Sequence, residues 1–194
     1  MNTKQFVRVA MLTALACVLT IVPKVPIGGG YVHFGDCIIY VAAMILGPIP
    51  GAVVGAIGHS LADFISGYPI FCIPTFIIKG IMGFAIGKIV YGHVDIKHFI
   101  IGGIAALVIV TGGYFAAEIP LMGYETALVS LISSPIQWCM SMVASAIIVP
   151  ILIKNRKRIG FQLKTHSLFS LDCVFFLVMY FITFWSRLCF LRGS

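Results

Sequence analysis

Gly47-Pro48-Ile49-Pro50-Gly51, then Ala52-Val53-Val54-Gly55-Ala56-Ile57-Gly58-His59-Ser60-Leu61-Ala62-Asp63-Phe64-Ile65, then Ser66-Gly67-Tyr68-Pro69, decide how this chain folds. Two turn signals bracket an apolar run of helical length. Inside it, two ionisable residues sit one turn apart among small ones. Such a run is either a buried core helix or a membrane span, and the rest of the chain chooses between them. Of 194 residues, 60% are hydrophobic and 10% charged, with a mean hydropathy of +1.09. Soluble domains hold about 45–50% apolar and about 25% charged residues. The composition selects an integral membrane protein and excludes most soluble enzymes, nucleic-acid readers and disordered chains. At about 20 residues per span, this length admits about six or seven spans and no separate soluble domain.

Breakers and charges divide the chain outward from this run. Phe6 to Val22 reads as a first span, stopped by Pro23 and Pro26. Lys24 to Gly35 is a loop holding Gly28-Gly29-Gly30. Asp36, a candidate N-cap, opens a short second span ending at Gly47. The stretch from Gly47 to Gly51 reads as a tight turn, and Ala52 to Ile65 as the third span. Pro74 to about Val90 is the fourth. Phe99 to Ala117 is the fifth, ended by Glu118 and Pro120. The sixth starts at Glu125 or Thr126, holds Pro135, and ends between Pro150 and Lys154.

Lys4 and Arg8 before an apolar run resemble a signal peptide, and Ala14-Leu15-Ala16-Cys17 a lipoprotein cleavage site. The run continues past Cys17 and no polar mature domain follows, so a retained first helix fits better. The net charge of +7 becomes a topology signal. With the N-terminus inside, Lys4, Arg8, Lys88, Lys97, Lys154, Arg156, Lys157, Arg158 and Lys164 are cytoplasmic, nine of the thirteen basic residues. The expected fold is therefore an all-α six-helix membrane bundle over residues 1–158 with both ends inside.

Residues 159–194 form a distinct, apolar tail. Nineteen of the twenty glycines fall in the first 160 residues, and 161–192 hold no Gly, Ala or Pro. The tail reads as a seventh helix or surface anchor, or as a stretch whose reading frame departs from that of the core. Its lack of small residues favours the departure. The six cysteines form no Cys-x-x-Cys pair and mostly lie in apolar runs, so no metal or disulfide framework is expected.

Small residues spaced by four lace the spans: Ala10/Ala14, Gly51/Gly55, Ala52/Ala56, Gly83/Gly87 and Ser141/Ser145. They allow close helix approach where lipid gives little drive to associate. Ala10/Ala14 also offers a smooth face to another membrane subunit. Ionisable groups at membrane depth are costly and so mark function. His59 and Asp63 share a face of the third span, and Lys79 lies in the fourth. Asp36 and Glu118 stand at the outer ends of spans two and five, with Gln137 and Trp138 deeper in the sixth. Tyr31, His33, Phe34, Tyr68, Phe71 and Tyr124 supply the outer rim. Apart from interface charges, nearly all these groups fall in the outer half of the membrane. That pattern describes a pocket open outward rather than a relay threading both leaflets. Simpler roles stand beside it: a Lys79–Asp63 ion pair, a packing His59, caps or interface charges at Asp36 and Glu118, a core Trp138 and an interfacial Tyr68.

Gly35-Asp36, Leu46-Gly47-Pro48-Ile49-Pro50-Gly51, Gly58-His59-Ser60-Leu61-Ala62-Asp63, Gly67-Tyr68-Pro69 and Ile78-Lys79-Gly80 together resemble the substrate-binding (S) components of energy-coupling factor vitamin transporters. The branch assigned to pyridoxine or hydroxymethylpyrimidine is the most similar. The resemblance spans about residues 5 to 155 and is densest between 30 and 90. It implies a multi-pass protein of a bacterial cell membrane that binds a vitamin without chemistry on it. It implies a transmembrane coupling (T) component docked at Ala10 and Ala14, and two cytoplasmic ATPases. Pro23 to Gly35 would form a lid over a pocket lined by Tyr31, His33, Asp36, His59, Asp63, Tyr68, Lys79, Glu118, Gln137 and Trp138. No cofactor, metal or nucleic acid is expected. The residues hold no Gly-x-x-x-x-Gly-Lys-Ser/Thr phosphate loop, so ATP work must come from elsewhere. A riboflavin- or thiamine-related ligand is an alternative within the family, and a self-sufficient secondary transporter or channel is one outside it. An intramembrane enzyme using His59 with Asp63 or Glu118 as acid and base lacks a nucleophile–base pair.

Overall fold

A computed structural model describes residues 3–22, 25–27, 30–93 and 95–154. The described elements are α1 (Thr3–Ile21), β1 (Val25–Ile27), β2 (Gly30–Val32), α2 (Asp36–Leu46), α3 (Pro48–Ile65), a 3-10 turn (Pro69–Phe71), α4 (Cys72–Val90), α5 (Ile96–Met122) and α6 (Tyr124–Lys154). The chain divides into two compact units, Met1–Val149 and Pro150–Ser194. Of the second, only the end of α6 is described, and the tail of 159–194 lies outside the described residues. Among the described residues, five helices are long and apolar enough to cross a membrane; α2 is a shorter apolar helix. Large side chains such as Phe64, Ile73, Phe76, Val108 and Ile132 point outward. Lipid, not water, solvates such a surface. The architecture is an all-α membrane bundle.

The prolines act differently from their sequence reading. Gly47 alone makes the turn between α2 and α3, at φ 100°, a conformation glycine adopts without a Cβ penalty. Pro48 and Pro50 lie inside the first turn of α3, where a missing N–H costs nothing because it has no intrahelical acceptor. The predicted turn over Gly47–Gly51 is thus one glycine followed by helix. Pro120 does not end α5, which runs on to Gly123 at φ 91°. Pro135 sits within a continuous α6. The loop after α1 holds an antiparallel hairpin absent from the sequence reading, pairing Val25 with Val32, Pro26 with Tyr31 and Ile27 with Gly30.

The α3–α4 seam fixes the bundle's geometry. A Cβ added at Gly83 would overlap the backbone of Gly51, one at Gly55 the carbonyl of Lys79, and one at Gly87 the backbone of Pro48. The two helices therefore run antiparallel with glycine against backbone, as the four-residue spacing predicts. Gly58 packs the same way on Thr13 and Ala16 of α1. On α1, Val9, Leu12, Leu15 and Ala16 turn inward while Ala10 and Ala14 stay exposed.

Candidate functional site

The half-length α2 determines where the acids meet. Asp36 lies eleven residues from Gly47 along α2, and His59 lies eleven residues from Pro48 along α3. Both therefore sit about 16 Å from their shared end of the bundle. His59 Nε2 comes within 3.1 Å of Asp36 Oδ1. Asp36 is thus not at the outer surface, where the sequence placed it, but level with His59. Nor is it the N-cap of α2: Gly35 holds that position, without a side-chain cap. Its carboxylate occupies the first turn, where the helix dipole favours an anion.

Lys79 Nζ, fully buried, donates to both carboxylate oxygens of Asp36 at 2.7 Å. Gln137 Nε2 of α6 donates to Oδ2 at 3.0 Å. His59 Nδ1–H donates to Gly55 O at 3.1 Å, and its Nε2, though close to Asp36, is not aligned for a hydrogen bond with it. His33 packs its ring 5.4 Å from that of His59, and its Nδ1 accepts the Gly35 N–H at 3.2 Å. Helices α3, α4 and α6, with His33 from the link between β2 and α2, converge on the Asp36 carboxylate.

The expected Lys79–Asp63 pair does not form. Because Gly55 faces Lys79 across the seam, Asp63 lies eight residues, about 12 Å, farther along α3. Asp63 Oδ2 instead accepts the Thr75 hydroxyl at 2.6 Å, and Thr75 Oγ1 lies 3.1 Å from the Tyr114 hydroxyl. Lys79 Nζ stands 5.7 Å from the centre of the Tyr114 ring, within cation–π range. One polar path thus links the two acids: Asp36, Lys79, Tyr114, Thr75, Asp63. Thr75 and Tyr114 escaped the sequence reading. Thr75 stands one turn before Lys79 on the same face of α4, which was a usable signal. Tyr114, inside a span rather than at an interface, was another.

The remaining candidates lie apart. Trp138 Nε1–H donates to Gly103 O at 2.7 Å and ties α6 to α5. Glu118 is half-buried on α5, and its Oε2 finds no hydrogen-bond partner among the described residues. Tyr68 is exposed after α3. Tyr31 lies in β2, and its side chain is outside the described residues. Phe34 and Phe71 are half-buried and Tyr124 is exposed.

Ligand atoms of His33, Asp36 and His59 lie within 4.8 Å of one another, a spacing open to a metal ion. Two features oppose that use. The Lys79 ammonium already holds the carboxylate, and His33 Nδ1 is an acceptor, which leaves the neutral ring's proton on Nε2. The cluster suits hydrogen bonds to an organic ligand: a carboxylate acceptor, ammonium and amide donors, and imidazoles, all buried.

Comparison with known proteins agrees with this architecture. The model of the ECF-type riboflavin transporter S component family matches residues 1–158, which hold the six described α-helices. Over 108 residues the chain is 32% identical to an uncharacterised protein of Pyrococcus woesei, covering 55% of this chain and 72% of that one. It is 24% identical over 164 residues to the thiamine precursor transporter HmpT of Lactococcus lactis subsp. cremoris (strain MG1363), covering 83% of this chain and 95% of that one. Six apolar helices around a buried polar centre, matched along their whole length, make this chain a multi-pass cell-membrane protein of the ECF-type riboflavin transporter S component family.

Proposed function

We propose that this protein is the substrate-binding subunit of an ATP-driven importer and takes up a heterocyclic vitamin or vitamin precursor of pyridoxine or hydroxymethylpyrimidine size. The observation that carries the reading is the convergence of Lys79, Gln137 and His59 on Asp36 inside the bundle. Buried ionic groups are costly, and a cluster gathering donors and an acceptor at one point can recognise a small polar ring. An aminopyrimidine edge offers an amine donor beside a ring-nitrogen acceptor; Asp36 meets the first, and Lys79 or Gln137 the second. Binding then exchanges part of the internal hydrogen bonding for ligand. The similarity to a thiamine precursor transporter supports a ligand of this size. A riboflavin ligand is the second reading, favoured by the family's description. The proposed domains are the six-helix body of 1–158 and a tail of 159–194 outside the binding function.

The N-terminus and the α4–α5 loop are placed in the cytoplasm, so the hairpin and the outer ends of α3 and α4 face outside. A T component and two ATPases complete the importer. The exposed Ala10 and Ala14 supply the docking face on α1. Replacing Ala14 with Leu is expected to reduce uptake at least tenfold while ligand affinity stays within about twofold, because a bulky side chain blocks close helix approach. Unchanged uptake in Ala10→Leu and Ala14→Leu removes the docking role.

Two measurements test the function itself. Protein purified without added ligand is expected to carry a small heterocycle identifiable by mass spectrometry, and uptake in cells is expected to require co-expressed T and ATPase subunits. Uptake without those subunits favours a self-sufficient transporter. A peptide- or lipid-loaded protein overturns the vitamin reading.

A further inference from the structure

A second cluster of ligating side chains lies at the connection between α4 and α5, apart from the buried site. We infer that His93, Asp95 and His98 form a binding site for a divalent transition-metal ion of the zinc type. The sequence is His93-Val94-Asp95-Ile96-Lys97-His98, and ligand atoms of the three residues lie within 4.8 Å of one another. Local backbone geometry brings them together. Gly92, at φ 86°, reverses the chain after α4, and the His93 N–H donates to Val90 O at 3.0 Å. This turn lays the His93 ring flat on that of His98, with centroids 4.0 Å apart and planes 8° from parallel.

Asp95 is the N-cap of α5, yet capping does not account for its orientation. Its contact with the His98 backbone N–H is long, 3.4 Å. Both carboxylate oxygens instead lie 2.7 Å from His98 Nδ1. A carboxylate aimed at an imidazole nitrogen, with a second imidazole against the first, is a donor set that zinc accepts. Zinc–nitrogen and zinc–oxygen bonds of about 2.0–2.1 Å at tetrahedral angles put neighbouring donors about 3.3 Å apart. The metal takes the place of the His98 Nδ1 proton. His93, exposed at the surface, tilts out of the stack to direct its lone pair inward, and water completes the coordination. The positive end of α5 and exposed Lys97 oppose a cation, so the site is expected to be moderate in affinity and reversible. Its effect is to clip the end of α4 to the start of α5.

The test uses the full chain, purified in detergent through a tag without histidine and stripped with a chelator. Titration with Zn2+ is expected to show one site lost in His93→Ala/His98→Ala, with each single replacement weakening binding at least about tenfold. His166→Ala, in the tail, is expected to bind as the native protein does. Co2+ is expected to give the intense visible absorption of tetrahedral coordination, absent from the double variant. Zinc binding that survives the double replacement, or no saturable binding by the native chain, overturns the assignment. Since the variants alter only residues at the α4–α5 connection, apart from the buried cluster, vitamin binding is a separate readout, and its failure bears on the proposed function rather than on this site.

Discussion

Lys79→Met is expected to destabilise the protein by about 3–5 kcal/mol, the usual cost of leaving one half of a buried ion pair. Lys79 supplies both of the shortest hydrogen bonds to Asp36, and the carboxylate is almost wholly enclosed. Once the ammonium is gone, only Gln137 and the nearby His59 imidazole face the carboxylate among the described side chains. The companion variant separates support from recognition. Asp36→Asn/Lys79→Met removes both charges, so most of the lost stability is expected to return, while ligand binding stays abolished. Thermal denaturation in detergent measures the first quantity and equilibrium binding the second. A Lys79→Met protein as stable as the native one removes the structural role. Native affinity in the double variant removes Asp36 and Lys79 from the binding site.

The second large effect belongs to the α3–α4 seam and needs only one methyl group. Gly83→Ala places a Cβ into the Gly51 backbone, and backbone cannot move aside as a side chain can. The helices must part, and overpacking of this kind costs about 1–3 kcal/mol, sometimes more. Gly80→Ala on the same helix is the contrast. There the Cβ meets Ala56 Cβ at 3.4 Å, the edge of ordinary contact, and alanine favours a helix over glycine by about 1 kcal/mol. Gly83→Ala is expected to lose most folded, monodisperse protein and Gly80→Ala to retain it. Equal yields of the two would show that the seam tolerates separation.

The sequence disclosed most of the helices and most of the cluster, and the reasons are local. Apolar runs and turn residues mark spans whatever their neighbours do, and a Lys or Asp inside such a run declares itself. Asp36, His59, Lys79 and Gln137 were all legible in that way. Partnership was not. Pairing Lys79 with Asp63 assumed that nearness to the same end of adjacent spans brings side chains together. The actual partner depends on the register of α3 against α4 and on the length of α2. Both are tertiary facts: Gly55 settles against Lys79, and α2 starts well short of the outer end of α3. The prolines misled for a related reason. Pro48 and Pro50 look like breakers in one dimension, whereas N–H groups in the first turn of a helix have no intrahelical acceptor to lose. The hairpin was unreadable because three-residue strands carry too few side chains for a period-two pattern.

The length of α2 has a consequence for hydration. Eleven residues cover about 16 Å of a hydrocarbon core about 30 Å thick. The chain leading into that helix is β-hairpin, and a two-stranded ribbon leaves peptide groups along both outer edges without strand partners. Lipid cannot satisfy them; neighbouring protein or water must. The quadrant above α2 is therefore where water can descend toward Asp36 while the other sides of the bundle stay sealed by full-length helices. A shortfall of about two and a half helical turns thus sets both the depth of the carboxylate and the direction from which a dissolved molecule reaches it.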